Sequence, residues 1–285
     1  MDTAHGTLRR DSWYVATDVD DRVAYDVLAL DRVWNCFAIA DLAPPYRAYS
    51  SYAIARRGDP APSAVCLVLR HPAFTMLIPS GDAAGVAAML AELELPAQTE
   101  FQVRAEHLTA LECHYHVLPG AREMLRMGVT PSSVRSPGDI SAAAVARLGP
   151  ADLPAMLDLY RRYPESHFRP EHLQHGVFFG VRADGRLLAA GGTHVVAKRY
   201  GLGVLGSIFT RPEARRQGHG RAVTAAIIEE LFARGCRDAM LTVVADNHAA
   251  IQLYASLGFG AHCRYWSGSA ALRRERLEGR SHDGA

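Results

Sequence analysis

The run Thr210-Arg211-Pro212-Glu213-Ala214-Arg215-Arg216-Gln217-Gly218-His219-Gly220-Arg221-Ala222 leaves this chain less freedom than any other part of it. Before it, Val204 to Thr210 reads as an apolar strand. After it, Val223, Ile227, Ile228 and Leu231 recur at helical spacing from Arg221 to Arg234, and Gly235 stops the helix. A strand must hand the chain to a helix through a short basic loop. Glycines without Cβ let successive N–H groups turn inward, and the helix adds its unpaired N–H groups and positive dipole end. Such a loop suits a pyrophosphate. Taken alone, it also reads as an ordinary turn with solvated arginines.

The neighbouring pattern gives the loop a setting. Ala143 to Leu148 reads as a strand, and Pro150-Ala151-Asp152 opens a helix carrying Leu153, Met156, Leu157 and Tyr160, with Pro164 expected to end it. Val177 to Val181 and Leu187 to Val196 are strands joined at Ala183-Asp184-Gly185-Arg186, where Asp-Gly supplies the positive φ of a tight hairpin. Met240 to Ala245 is a buried strand, His248 to Leu257 a short helix, and Gly258-Phe259 starts a return strand through Arg264 to Trp266. The order is β, α, ββ, β-loop-α, β-α, β, which makes a mixed α/β sheet.

A second segment, Asp246-Asn247-His248-Ala249-Ala250-Ile251-Gln252-Leu253-Tyr254-Ala255-Ser256-Leu257-Gly258-Phe259, follows the next strand. With both segments in view, the chain resembles the GNAT superfamily of acyl-CoA-dependent N-acyltransferases over roughly its last half, residues 143 to 267. Arg215 to Gly220 matches the family's Arg/Gln-x-x-Gly-x-Gly/Ala phosphate loop. Asn247 to Phe259 matches its Asn-x-x-Ala-x-x-Leu-Tyr-x-x-x-Gly-Phe segment.

The resemblance implies a GNAT-like α/β fold and acetyl-CoA as acyl donor, with transfer to an amine by direct attack in a ternary complex. It implies that the strand end Ile208, Phe209 and Thr210 pairs with the pantetheine arm. Arg215, Arg216, Gln217, Gly218, His219, Gly220 and Arg221 would surround the pyrophosphate, and Asn247 would hold the arm. Tyr254 aligns with the proton donor to the departing thiolate. A phenol of pKa about 10 keeps its proton at neutral pH, as that role requires.

The acceptor amine must lose a proton before or during attack. Many family members carry a glutamate on the strand before the phosphate loop, but Val204 to Thr210 has no carboxylate. His194, in Gly191-Gly192-Thr193-His194 on a neighbouring strand, can either take that proton or orient other groups.

The first half carries a similar order. Ala64 to Leu69 and Phe74 to Ile78 read as paired strands, followed by Pro79 to Asp82 and a helix from Ala83 to Leu93. This suggests a diverged GNAT-like repeat whose loop lacks the glycine spacing and arginines needed for CoA. With 285 residues and 49% hydrophobic composition there is material for two cores. The junction is expected near residue 138, where Pro131, Ser132, Ser133, Ser136 and Pro137 cluster, giving domains 1–138 and 139–285.

The 31 basic and 30 acidic side chains leave a charge of +1, so no global field gathers nucleic acid or an anionic membrane. Polar Met1 to Arg10 and the lack of about 18 unbroken apolar residues lead to the expectation of a cytoplasmic protein. Cys36, Cys66, Cys113, Cys236 and Cys263 are odd in number and unevenly spaced, which suggests reduced thiols. Neither His167, His172 and His175 nor Cys113, His114 and His116 supply the ligands that zinc needs, and no metal is expected. The absence of Gly-Lys-Ser/Thr after Gly220 argues against a nucleoside-triphosphate loop. Two readings stay open: an N-acetyltransferase acting on a small-molecule or peptide amine, with a homodimer allowed, and a non-catalytic CoA- or acyl-CoA-binding regulator.

Overall fold

The computed structural model describes residues 13–58, 61–136, 138, 145–163, 166 and 168–273. The chain forms two compact units, Met1–Glu123 with Arg264–Ala285, and Met124–Cys263. The expected junction near residue 138 falls inside the second unit. The strand over Arg122–Val129 pairs with Asp238–Val244, and residues 266–271 pair with Gln98–Val103. Periodicity within one strand does not say which strand will accept it.

The first unit contains β1 (Trp13–Ala16), α1 (Asp21–Leu28), α2 (Cys36–Ala40), β2 (Ser50–Arg57), β3 (Ala64–His71), β4 (Phe74–Gly81), α3 (Ala83–Glu92), β5 (Gln98–Val103), α4 (Ala105–Glu112) and β6 (Tyr115–Val117). Its sheet runs β1-β2-β3-β4-β5. Neighbours are antiparallel except for β4 and β5, which are parallel because α3 connects them. Cys66, Leu77, Met89, Leu90, Phe101 and Leu111 are among the side chains of its core.

The second unit contains β7 (Arg122–Val129), β8 (Val145–Arg147), α5 (Leu153–Tyr160), α6 (His172–His175), β9 (Phe178–Ala183), β10 (Arg186–Ala197), β11 (Leu202–Thr210), α7 (His219–Ala233), β12 (Asp238–Val244), α8 (His248–Ser256) and the start of β13 (Gly260–Leu272). Its order is β7-β12-β11-β10-β9-β8, again antiparallel except where α7 joins β11 to β12. The expected hairpin joins β9 to β10, with Asp184 at φ 49° and Gly185 at φ 74°. Pro164 lies outside the described residues, and α5 already ends at Tyr160.

Helix α7 covers one face of this sheet with Val223, Ile227, Ile228 and Leu231, all buried, against Val181, Leu205 and Leu241. At about 1.5–3 kcal/mol per large aliphatic side chain removed from water, this packing anchors the helix and the loop before it. The other face carries α5 through Met156, Leu159 and Tyr160, packed with Phe178 and Leu187. Of the apolar residues read along α5, Leu157 is exposed, and Leu159 is buried in the core. Consecutive glycines of β10 show the two faces directly: a Cβ on Gly191 would meet Ile208 and Val223, and one on Gly192 would meet Phe178.

Candidate active site

Strand β11 pairs with β12 only over Leu202–Leu205, opposite Asp238–Leu241. Its pairing with β10 continues to Thr210. Beyond Leu205 the two parallel strands therefore separate, and among the described residues the edge of β11 from Ile208 to Thr210 has no ladder partner on the β12 side. An extended chain of amides can add there as a strand would.

The separation coincides with Ser207, whose φ is 53°. A left-handed backbone costs an L-residue roughly 1–2 kcal/mol. Three contacts hold it. The Tyr160 hydroxyl donates to the Ser207 carbonyl at 2.6 Å, and the Ser207 hydroxyl donates to the Ser166 carbonyl at 2.7 Å. His194 Nε2 lies 3.2 Å from the Ser207 Oγ. The only hydroxyl hydrogen is spent on Ser166, so the network assigns the imidazole hydrogen to Nε2, donating to Oγ.

At the far end of β11, Arg216 (φ 62°) and Gly218 (φ 81°) both take left-handed backbone, and α7 starts at His219 without a side-chain cap. Its first helical hydrogen bond runs from the Ala222 N–H to the Gly218 carbonyl at 2.9 Å. The N–H groups of the first turn thus face outward with the dipole's positive end, and Arg215, Arg216 and Gln217 stand exposed around them. In the same turn, buried His219 Nε2 and Arg221 Nε have no hydrogen-bond partner among the described residues. Nearby, the Arg211 guanidinium is fully buried, donating from Nε to the Leu187 carbonyl at 2.8 Å and pairing through Nη2 with Asp158. That contact is the first cause holding the Asp158 carboxyl below its ordinary pKa.

Three of the expected pieces meet at Gly220. A Cβ there would lie 3.3 Å from Thr210 Oγ1 and 3.4 Å from Leu253 Cδ1, so the end of β11, the start of α7 and helix α8 converge. Tyr254, next to Leu253, is buried, with its ring 5.9 Å from that of Phe259. Burial pushes its phenol well above the ordinary value, which keeps the proton on oxygen. Asn247 caps α8, its Oδ1 accepting from the Ala250 N–H at 3.2 Å. Its amide nitrogen makes no hydrogen bond among the described residues.

No hydrogen bond or ring contact joins Tyr254 to His194. The His194 ring instead stacks on His172, centroids 5.8 Å apart. His172 Nδ1 accepts from the Arg169 N–H at 3.2 Å, and burial lowers its pKa. Among the described residues, no three His, Cys, Asp or Glu side chains converge as a metal would require.

The profile of the acetyltransferase (GNAT) family matches residues 147–259. The ribosomal protein bS18-alanine N-acetyltransferase of Escherichia coli K12 is 34% identical over 120 residues, which are 40% of this chain and 79% of that protein. The chain belongs to the GNAT acetyltransferase family. The mycothiol acetyltransferase of Paenarthrobacter aurescens is 38% identical over 105 residues, 36% of this chain and only 31% of that protein. The tandem GNAT protein of the clavulanic acid biosynthesis pathway, solved without acetyl-CoA, superposes with a TM-score of 0.55 over 92% of this chain and 98% of its own at 14% identity, a likeness of fold.

The first unit differs where the phosphate loop would be. Pro79 to Gly81, expected as loop, remain in β4, and Asp82 alone separates that strand from α3. Asp82 Oδ1 accepts from the N–H groups of Ala84 at 2.9 Å and Gly85 at 3.0 Å, so a carboxylate already fills the helix start. Seven residues beyond its N-cap, α4 has Leu111, where α8 has Tyr254.

Ser207, Tyr160, Ser166 and the Arg211–Asp158 pair escape a reading by motif. The available signal was Gly206-Ser207 inside an apolar strand, since small residues at such a place mark a bulge.

Proposed function

We propose that this protein is an acetyl-CoA-dependent N-acetyltransferase with a single acyl-CoA site in the second unit. The observation that carries the proposal is the uncapped start of α7 behind two left-handed residues, continuous with the unpaired edge of β11. The first-turn N–H groups, with Arg215, Arg216 and Arg221, provide donors and charge for a pyrophosphate. Ile208 to Thr210 offer main-chain groups to the amides of the pantetheine arm, and Asn247 offers its free amide nitrogen.

Acetyl-CoA supplies an activated thioester carbonyl for the amine to attack. The C–N bond forms as the C–S bond breaks: the amine attacks as its free base and its surplus proton passes to solvent, while Tyr254, protonated at neutral pH, gives its proton to the departing sulfur and regains one from solvent. The N-acetyltransferase that this chain covers to 79% supports an amine as acceptor. Among the described residues of the first unit, Asp82 occupies the start of α3 and Leu111 stands in α4 where α8 has Tyr254, so the loop and phenol of the second unit are not repeated at those places.

The test is incubation of the protein with acetyl-CoA and a panel of small-molecule and peptide amines, following free thiol. Acceptor-dependent thiol release supports the enzyme. Binding of acetyl-CoA with no turnover on any amine would favour the regulatory reading.

A further inference from the structure

We propose that Tyr160 and His194 are positioning residues that hold Ser207 in its left-handed conformation and so keep the acyl-CoA edge of β11 open. The inference rests on the acyl-CoA reading above.

The local chemistry points one way. Ser207 is an L-residue in a conformation that glycine adopts more readily, although a glycine stands immediately before it. That glycine serves another purpose: a Cβ on Gly206 would lie 2.0 Å from His194 Nε2, so its lack of a side chain makes room for the imidazole. The imidazole reaches the Ser207 Oγ, and Tyr160 takes the Ser207 carbonyl from α5. Ser207 is 6% exposed and Tyr160 5%, so water does not replace the Tyr160 contact when it is lost; the His194 contact is half-buried.

Beyond this clamp β11 no longer follows β12. Without the clamp, Ser207 relaxes toward ordinary extended backbone and β11 closes on β12, covering the main-chain groups of Ile208 and Thr210. His194 acts here as a hydrogen-bond donor through Nε2, and its place at Ser207 sets the shape of the site rather than the state of the reacting amine.

The test compares acetyl-CoA binding by calorimetry, and initial rates on an acceptor that the parent protein uses, for Tyr160→Phe, His194→Ala and His194→Gln. Each variant is first checked by melting. Tyr160→Phe and His194→Ala should weaken acetyl-CoA binding about fivefold or more, the scale of one buried hydrogen bond, and raise its KM more than they lower kcat. His194→Gln, whose side-chain N–H can reach the same oxygen, should retain affinity within about twofold. It should also keep the acid limb of the parent's pH profile. Parent-like acetyl-CoA affinity in a folded Tyr160→Phe or His194→Ala protein would overturn the clamp, as would loss of the acid limb in His194→Gln. Should Tyr160→Phe fail to fold, the two His194 variants carry the test. A parent that binds no acetyl-CoA defeats the functional reading itself, whereas a binding parent with unaffected variants defeats only the clamp.

Discussion

His194 occupies the space a side chain on Gly206 would need, its Nε2 lying 2.0 Å from where that Cβ would be. Gly206→Ala should therefore push the imidazole off Ser207. The expected cost is about 1–3 kcal/mol of stability, as for other overpacked sites, together with weaker acetyl-CoA binding. Thermal melting and calorimetry check it, and an unchanged melting temperature would show that the ring moves freely.

Tyr254→Phe keeps the ring against Phe259 and removes only the proton. Turnover should fall about 100-fold or more with little change in acetyl-CoA affinity. Because burial raises the phenol's pKa, the parent's rate should show no loss from Tyr254 ionisation as pH rises to 9. Equal turnover of the two proteins would leave Tyr254 a packing residue.

Asp82→Ala removes the acceptor for two N–H groups at the start of α3. It should lower stability by about 1 kcal/mol, read by denaturant midpoint, and leave acetyl-CoA turnover intact. Loss of turnover without loss of stability would mean that the first unit takes part in the chemistry.

Asp41 gives a pH dependence of stability. Burial pushes its carboxyl up to about 8, so the folded chain holds a proton there that the unfolded chain releases near pH 4. The stability tied to that proton is fully present below about pH 4 and is lost as pH rises toward 8. Asp41→Asn should raise the melting temperature relative to the parent more at pH 8 than at pH 5. An equal difference at both values would contradict the assignment.

Much of the second unit was legible because its signals are local. Asp184-Gly185 specified a hairpin, the spacing of Val223, Ile227, Ile228 and Leu231 specified α7, and Gly218 marked a left-handed turn at the helix start. The clamp was not legible, because Tyr160, Ser166, His194 and Ser207 come from separate segments and meet only after the sheet forms. The Asp82 cap was hidden for a subtler reason: Gly81 and Asp82 suggested a loop, while β3 pairs with β4 as far as Gly81 and leaves a single residue to begin the helix. That β7 belongs to the second unit and the end of β13 to the first depends on long-range pairing, to which periodicity is blind.

The most direct measurement is a calorimetric titration of acetyl-CoA into the parent protein and into Gly218→Val, with melting curves for both. A β-branched side chain at φ 81° is strained and displaces the backbone that presents the first-turn N–H groups of α7. The account expects one equivalent bound per chain by the parent, and binding lost in a variant that still melts cooperatively. Undiminished affinity in Gly218→Val, or two equivalents bound by the parent, would contradict it.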